Sequence, residues 1–320
     1  MRIRSLTLLL TLQCPARCEH CATESHPQRR EQLDAELARR AVREAAALGL
    51  PLVFSGGEPL LRLRLLLDLA GRARTDSQQM SIAVSTNGFW ARTPARAERI
   101  LRRLKQSGVD TLLMSTDRYH LPFVPLSSVL HAARSAVALG LRCEIAVPAV
   151  AEDAVASDLL RALREVPGVR VKTHPLSRTG RAVQLGPPVF AQGVQDRPCG
   201  VLGELALLPD GFLYGCCAAS IHFGRQSVLC AGHYDEAGLS GAITKLTEIP
   251  LLTDIQNHGP LRSALAEAER SPRFSLRLLS SYTDLCAQCE SLCRAYDQTR
   301  PTAQSPNPST PALRDRRERL

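Results

Sequence analysis

The feature that most constrains this chain is an alternation repeated over its first 175 residues. Short apolar runs are each followed by a longer stretch with helical spacing. Leu6–Leu12 reads as a buried strand. Leu33, Leu37, Ala41, Ala45 and Leu48 then fall on one helical stripe over Asp34–Leu48, which Gly49 stops. Leu52–Ser55 is a strand, Leu61–Arg74 a helix and Ser81–Ser85 a strand. A helix starts at Pro94, a natural first helical residue, and ends near Gly108. Thr111–Ser115, Arg142–Val147 and Val169–Thr173 are strands, separated by helices over Leu126–Leu139 and Asp153–Arg164. Parallel neighbours need a crossover between them, so the pattern predicts an α/β fold with a parallel sheet. In parallel α/β folds ligands and reactive groups collect at the C-terminal ends of the strands.

Two motifs stand at such ends. After the first strand, Cys14, Cys18 and Cys21 form C-x3-C-x2-C; after the second, Gly56-Gly57-Glu58-Pro59 closes the run Leu52–Ser55. A cubane iron–sulfur cluster takes four ligands, so three thiolates leave one iron open to a substrate or cofactor. Zinc and free thiols are the alternatives, although structural zinc favours paired C-x2-C knuckles. Two glycines let backbone come close to a ligand, and a carboxylate there can accept from an ammonium group.

In these two motifs, so placed, the chain resembles the radical S-adenosylmethionine (radical SAM) superfamily. The resemblance implies a partial (β/α)6 TIM-like barrel. It implies a [4Fe–4S] cluster on Cys14, Cys18 and Cys21 whose open iron chelates SAM, with Gly56, Gly57, Glu58 and Pro59 at the SAM amino group. Reductive cleavage of SAM then gives a 5′-deoxyadenosyl radical that abstracts a substrate hydrogen atom. The residue before the third cysteine is usually aromatic in that family and is His20 here.

Other strand ends carry further candidates. Ser85-Thr86-Asn87-Gly88 reads as a turn by itself, and the resemblance puts Thr86 and Asn87 close to SAM. Ser115 and Asp117 are expected SAM contacts, with Tyr119 and His120 facing the substrate or starting the next loop. Arg178-Thr179-Gly180-Arg181-Ala182 resembles a pattern of radical SAM peptide-modifying enzymes in which an arginine pairs with the SAM carboxylate. Arg178 and Arg181 otherwise read as solvated surface charges.

Composition narrows the setting. With 320 residues there is material for a large core and two domains. No 18-residue apolar run and no signal pattern is present, and eleven cysteines then predict a reducing, cytoplasmic setting and metal binding rather than disulfides. The net charge of +9 comes from scattered arginines, with only 4% aromatics, so nucleic acid is not the predicted partner.

Residues 1–185 are assigned to the barrel. Residues 186–198 read as a linker. Glu204–Leu208 and Phe212–Tyr214 flank the turn Pro209-Asp210-Gly211 and form a hairpin bracketed by Cys199 and Cys216-Cys217. Cys286, Cys289 and Cys293 follow near the C-terminus. Structural zinc on Cys199, Cys216, Cys286 and Cys289 is one reading. The spacing also resembles the SPASM/Twitch extension, with too few cysteines for the full SPASM set. That resemblance implies one auxiliary [4Fe–4S] cluster within residues 186–297, held by Cys199, Cys216 and two of Cys286, Cys289 and Cys293. Residues 298–320 are expected to be a disordered basic tail. Cys143 reads as a small buried hydrophobe, and Cys230 has no assignment. Cys217 either packs beside the cluster or returns a hydrogen atom to a substrate radical, as such a thiol does in some radical SAM peptide epimerases.

The expected activity is maturation of a ribosomally made peptide, by epimerisation or by thioether or carbon–carbon crosslinking, with a flavodoxin or ferredoxin as electron donor. The Asp117–His120 run and the Cys216-Cys217 pair tilt this toward epimerisation. Dehydrogenation of a small-molecule alcohol, and a non-catalytic iron–sulfur or zinc module, are the competing readings. No separate peptide-recognition domain is expected before the first strand, so a leader peptide would dock on the barrel or the extension.

Overall fold

The apolar runs become the strands of one sheet. The computed structural model describes residues 1–149, 153–185, 192–217, 222–276, 281–282 and 284–300. Strands β1 (Ser5–Leu9), β2 (Leu52–Ser55), β3 (Ile82–Thr86), β4 (Thr111–Ser115), β5 (Arg142–Ala149) and β6 (Val169–Pro175) pair in parallel, in that order. Helices α1 (Ala35–Ala47), α2 (Leu63–Asp76), α3 (Pro94–Gln106), α4 (Leu126–Ala138) and α5 (Ala154–Arg164) connect them. Successive strand residues face opposite sides. Leu6, Leu8, Leu52, Phe54, Ile82, Val84, Leu112, Met114, Ile145 and Val147 are sealed in the core. Their alternates Ser55, Ser85, Ser115 and Ala146 line the inner face of an open, partial (β/α)6 barrel and are half-buried. Side-chain caps set the helix starts: Asp34 accepts from Glu36 N and Leu37 N, Thr93 from Arg96 N, and Asp153 from Ala156 N.

Two strand ends differ from the sequence reading. β1 stops at Leu9 rather than Leu12, because Thr11 and Gln13 leave the sheet to bridge Gln32 and His26. β6 runs two residues past Thr173, to Pro175. Of the stretch read as a linker, residues 186–191 lie outside the described residues, and Gln192–Gly193 form strand β7 against β11 (Ser281–Tyr282). The tail beyond residue 300 also lies outside them.

The expected hairpin forms and does more than close a small domain. Strand β8 (Glu204–Leu207) lies parallel to β1 on its second side, β9 (Phe212–Tyr214) turns back along β8, and β10 (Cys230–His233) follows. The sheet thus runs through nine strands, from β10 at one edge to β6 at the other. Helices α6 (Tyr234–Thr247), α7 (Pro250–His258), α8 (Pro260–Arg270) and α9 (Leu285–Thr299) complete the extension. One continuous apolar core joins it to the barrel. At their seam Glu44 of α1 accepts from Tyr234 Oη (2.5 Å) and Leu239 N (2.7 Å) of α6. No helix among the described residues is long and apolar enough to cross a membrane.

Candidate functional site

The Cys14–Cys21 loop is fixed by backbone pressed against backbone. Gly57 N donates to Thr11 O (2.7 Å) and Glu58 N to Gln13 O (2.9 Å). A Cβ at Gly56 would come within 2.3 Å of Thr11 O, and one at Gly57 within 2.4 Å of Gln13 O, so only glycine admits this approach. A second clamp comes from the residues after β6. Gly180, at φ +58°, would place a Cβ 2.4 Å from Cys21 O. Arg181 N donates to Cys21 O (3.2 Å), and its guanidinium donates to Cys18 O (2.9 Å) and Ser25 O (2.7 Å). The carbonyls of the loop thus turn toward these clamps.

The three thiols cluster, with Cys14 and Cys18 buried and Cys21 half-buried. Donors already point at two sulfurs: Ala16 N (3.4 Å) and Asn87 Nδ2 (3.4 Å) at Cys14 Sγ, and Ser25 N (3.4 Å) at Cys21 Sγ. Burial pushes the Cys14 thiol up to about 12, against the pull of the Ala16 amide; the Cys18 thiol is raised too, by burial and then by its fellow thiols and Asp117. Such thiols ionise only with a cation among them. That, together with N–H···S support, is the donor set a cluster requires.

Beside the thiols opens a cavity of about 300 Å³. Gly56, Gly57, Thr86, Asn87 and Ser115 line it, as do His20, His120, His174 and Ser177. His20 Nδ1 and Ser177 Oγ are buried without a hydrogen-bond partner, so two polar atoms of its wall await a ligand. The volume sits at the lower end of small-molecule sites, about 300 to 1,000 Å³.

Other predicted site residues stand one layer back. Glu58 is wholly buried; its carboxylate accepts from Thr86 Oγ1 (2.8 and 3.0 Å), Asn87 N (3.0 Å) and Leu60 N (3.1 Å). It therefore fixes Thr86 and Asn87 rather than reaching the cavity. Burial raises its pKa to about 7 despite those bonds. Pro59 is buried as the first residue of a short 3-10 turn. Asp117, also buried, accepts at Oδ1 from Tyr119 N (2.8 Å) and His120 N (3.0 Å). At Oδ2 it meets His120 Nδ1 (2.8 Å) and His20 Nε2 (3.1 Å). Burial alone would raise its pKa, but the two imidazoles hold it well below the usual carboxylate range. Both oxygens are so engaged, and Asp117 itself does not line the cavity. It orients His20, whose ring stacks on Tyr119 with centroids 5.0 Å apart. The Cys18 thiol and one ring nitrogen each of His20 and His120 lie within 4.8 Å of one another. Arg178 bonds the carbonyl of Val183 (3.3 Å), and its amide donates to Asp284, the cap of α9.

A second group of thiols forms in the extension. Cys199, Cys216, Cys286 and Cys289 line one small apolar pocket with Val201, Leu202, Phe223, Leu229 and Leu285. Burial raises the Cys286 thiol, and Asp284, Cys216, Cys289 and Cys199 add to the shift. Cys286, Cys289 and Cys293 share one face of α9, at i, i+3 and i+7. Cys293 is fully buried outside the pocket lining, its sulfur 3.9 Å from that of Cys289. The structure thus gathers four thiols and leaves the fifth aside. No disulfide joins any of the eleven cysteines. Cys143 is buried in β5, as read.

Cys217 does not line the cavity beside Cys14. Its thiol donates to Glu204 Oε2 at 3.2 Å. Glu204 pairs in register with Ser5, and Ser5 shares a face with Thr7 and Leu9, the latter beside the inward Ser55. Glu204 therefore faces the inside of the barrel, at the end of β1 away from the Cys loop. Burial, then Cys216 and Glu204, keeps the Cys217 thiol well above the ordinary range. Glu204 has no role in the sequence reading; its signal, an acid opening an otherwise apolar strand, is visible there.

Residues 8–120 match the model of the radical SAM superfamily. The chain is 24% identical over 308 residues to YydG of Bacillus subtilis (strain 168), a protein named for peptide biosynthesis, covering 92% of this chain and 93% of that one. In fold it is similar to anSMEcpe solved with bound AdoMet, at a TM-score of 0.57 and 13% identity over 91% of this chain and 96% of that one. It is also similar to BtrN in complex with AdoMet and 2-DOIA, at a TM-score of 0.53 and 16% identity over 82% and 90% of the two chains.

Proposed function

The chain carries a radical SAM domain over residues 8–120, and from that premise we propose that it modifies a ribosomally made peptide, by epimerisation. The observation that carries the peptide substrate is similarity to YydG along nearly the whole of both chains, extension included. Cys14, Cys18 and Cys21 would hold a [4Fe–4S] cluster, and Cys199, Cys216, Cys286 and Cys289 an auxiliary one. When bound, the first cluster and SAM supply a primary carbon radical able to take a hydrogen atom from the substrate, with a flavodoxin or ferredoxin as electron source. Gly56, Gly57, Thr86, Asn87 and Ser115, which line the cavity, would hold the cofactor there. Glu58, Asp117 and Arg181 position those contacts and the loop, and Arg178 ties the clamp to α9.

Cys217 is the hydrogen-atom donor in this reading. Its S–H bond breaks and a new C–H bond forms on the opposite face of the substrate carbon. The sulfur radical left behind takes up one electron from the external donor and one proton, which restores the thiol. The S–H donates to Glu204 Oε2, and delivery of its hydrogen atom requires that bond to break. That bond places Cys217 beside the inward-facing Glu204 and outside the cavity of the Cys loop, so the donor role rests on the Cys216-Cys217 pair of the sequence.

The test is co-expression with short peptides encoded beside the gene, followed by mass spectrometry of product formed in deuterated water. Epimerisation adds one deuterium at the inverted carbon. Loss of two hydrogens from the peptide would point to crosslinking instead. Turnover of a small alcohol with no peptide product would overturn the reading.

A further inference from the structure

Among the described residues, one strand of the barrel is left half-paired. β6 is the terminal strand of the sheet and packs only on β5 and α5 among the main contacts of the described residues. Arg170, Lys172, Thr173, His174 and Pro175 are all exposed. No described strand pairs with its outer edge, whose backbone N–H and C=O groups offer the arrangement to which an extended segment adds as a strand.

The face of this edge is specific. Glu144 pairs in register with Arg170, Ala146 with Lys172, and Pro148 with His174. Residues in register share a face, and Pro148 and His174 line the cavity beside the Cys loop. Arg170 and Lys172 therefore stand on the cavity face, further from the cavity. Both reach one carboxylate: Lys172 Nζ is in contact with Glu144, and Arg170 Nη1 lies 3.7 Å from it. Two cations share one anion, and they remain 70% and 50% exposed. The strand then leads into Leu176, Ser177 and Thr179, all part of the cavity wall.

We propose that the free edge of β6 is the docking strand for an extended, acidic segment of the substrate peptide, which it feeds toward the cavity. This rests on the peptide reading above. A second copy of the chain fits poorly, because edge-to-edge pairing would set Arg170 and Lys172 against their own copies. An added strand has side chains on the cavity face at every second residue, about 6.7 Å apart. The peptide residue opposite His174 thus enters the cavity, and acidic residues two and four positions away meet Lys172 and Arg170. Main-chain bonds supply most of the affinity, and the exposed charges supply the choice of sequence.

The test uses the anaerobically reconstituted full-length protein and two capped octapeptides, one alternating Val and Glu, the other Val and Lys. Hydrogen exchange read by mass spectrometry should slow across Val169–Pro175 with the Glu peptide, which should bind about tenfold more tightly than the Lys peptide, an effect of about 1.4 kcal/mol. A double variant R170Q/K172Q, altered only at exposed side chains, should bind both peptides within about twofold. A Glu peptide with N-methyl groups on alternate amides, placed on those facing β6, should lose the protection. Equal binding of the two peptides by the wild type, or protection confined to residues 176–181 with the β6 amides unchanged, overturns edge docking; the peptide reading survives either result. Product from a small alcohol alone, in the mass-spectrometric test above, overturns both.

Discussion

Glu58 keeps its carboxylate where water does not reach, and this makes the metal-free protein answer to pH in an unusual direction. Its folded pKa, about 7, lies above the ordinary 4.5. A raised pKa means that its contribution to stability is full below about 4.5 and is lost as pH rises through about 7. Relative to Glu58→Gln, wild-type protein should lose about 2 to 3 kcal/mol between pH 5 and pH 8, read from urea melts of the apoprotein. Parallel curves for the two proteins would show that the donors from Thr86, Asn87 and Leu60 already offset the burial. At Cys217 the expectation is chemical. Cys217→Ser should retain both iron centres and SAM cleavage, yet form no deuterium-labelled epimer, since an O–H bond is too strong to give up its hydrogen atom; a serine variant with normal turnover would remove the thiol from the reaction. Residue types at these positions were legible in the sequence, but their partners were not. A Gly-Gly-Glu-Pro run announces close backbone approach. It does not say that the carboxylate turns away from the cavity, because that depends on Thr86 and Asn87 arriving from the next strand. Asp117 was read in the same way and is claimed by two histidines from different loops.

The six parallel strands and the five helices between them were legible because their signals are local: apolar strands, helical spacing and, at several ends, a capping side chain or a glycine stop. What fell outside local signals was the length of β6, the helices α6 to α8 and the parallel partner that β8 offers β1. Helix α9 shows the same division. Its three cysteines share a face by spacing alone, so the sequence left the ligand pair open. The pocket lined by Cys199 and Cys216 takes in Cys286 and Cys289 and leaves Cys293 out, which favours that pair in the proposed auxiliary cluster. Iron analysis after anaerobic reconstitution should therefore find about eight iron per chain in wild type and in Cys293→Ala, and about four in Cys286→Ala or Cys289→Ala. Loss of the second centre in Cys293→Ala with retention in Cys286→Ala would reverse the choice. Zinc in place of iron at these thiols would discard the auxiliary cluster altogether.

Barrel and extension share one sheet and one core, so they should melt together. Glu44 is one of the polar joints between them, and its removal leaves the Leu239 amide without its acceptor. Glu44→Ala should cost about 1 to 3 kcal/mol while the transition stays single and cooperative, as followed by circular dichroism and by tryptophan fluorescence of the buried Trp90. Two separated transitions would mean that the halves are independent. The place of β8 beside β1 also sets an order of events during synthesis. The first strand to leave the ribosome takes one neighbour, β2, within about 50 residues, but waits for the other until residue 207 has been made. At about 5 to 20 residues per second that wait is on the order of ten seconds or more, with one edge of an apolar strand unpaired. The nascent chain is thus exposed to mispairing for most of its own translation. Expression at low temperature, or with chaperones that shield strand edges, should raise the soluble yield more than any change to the iron supply.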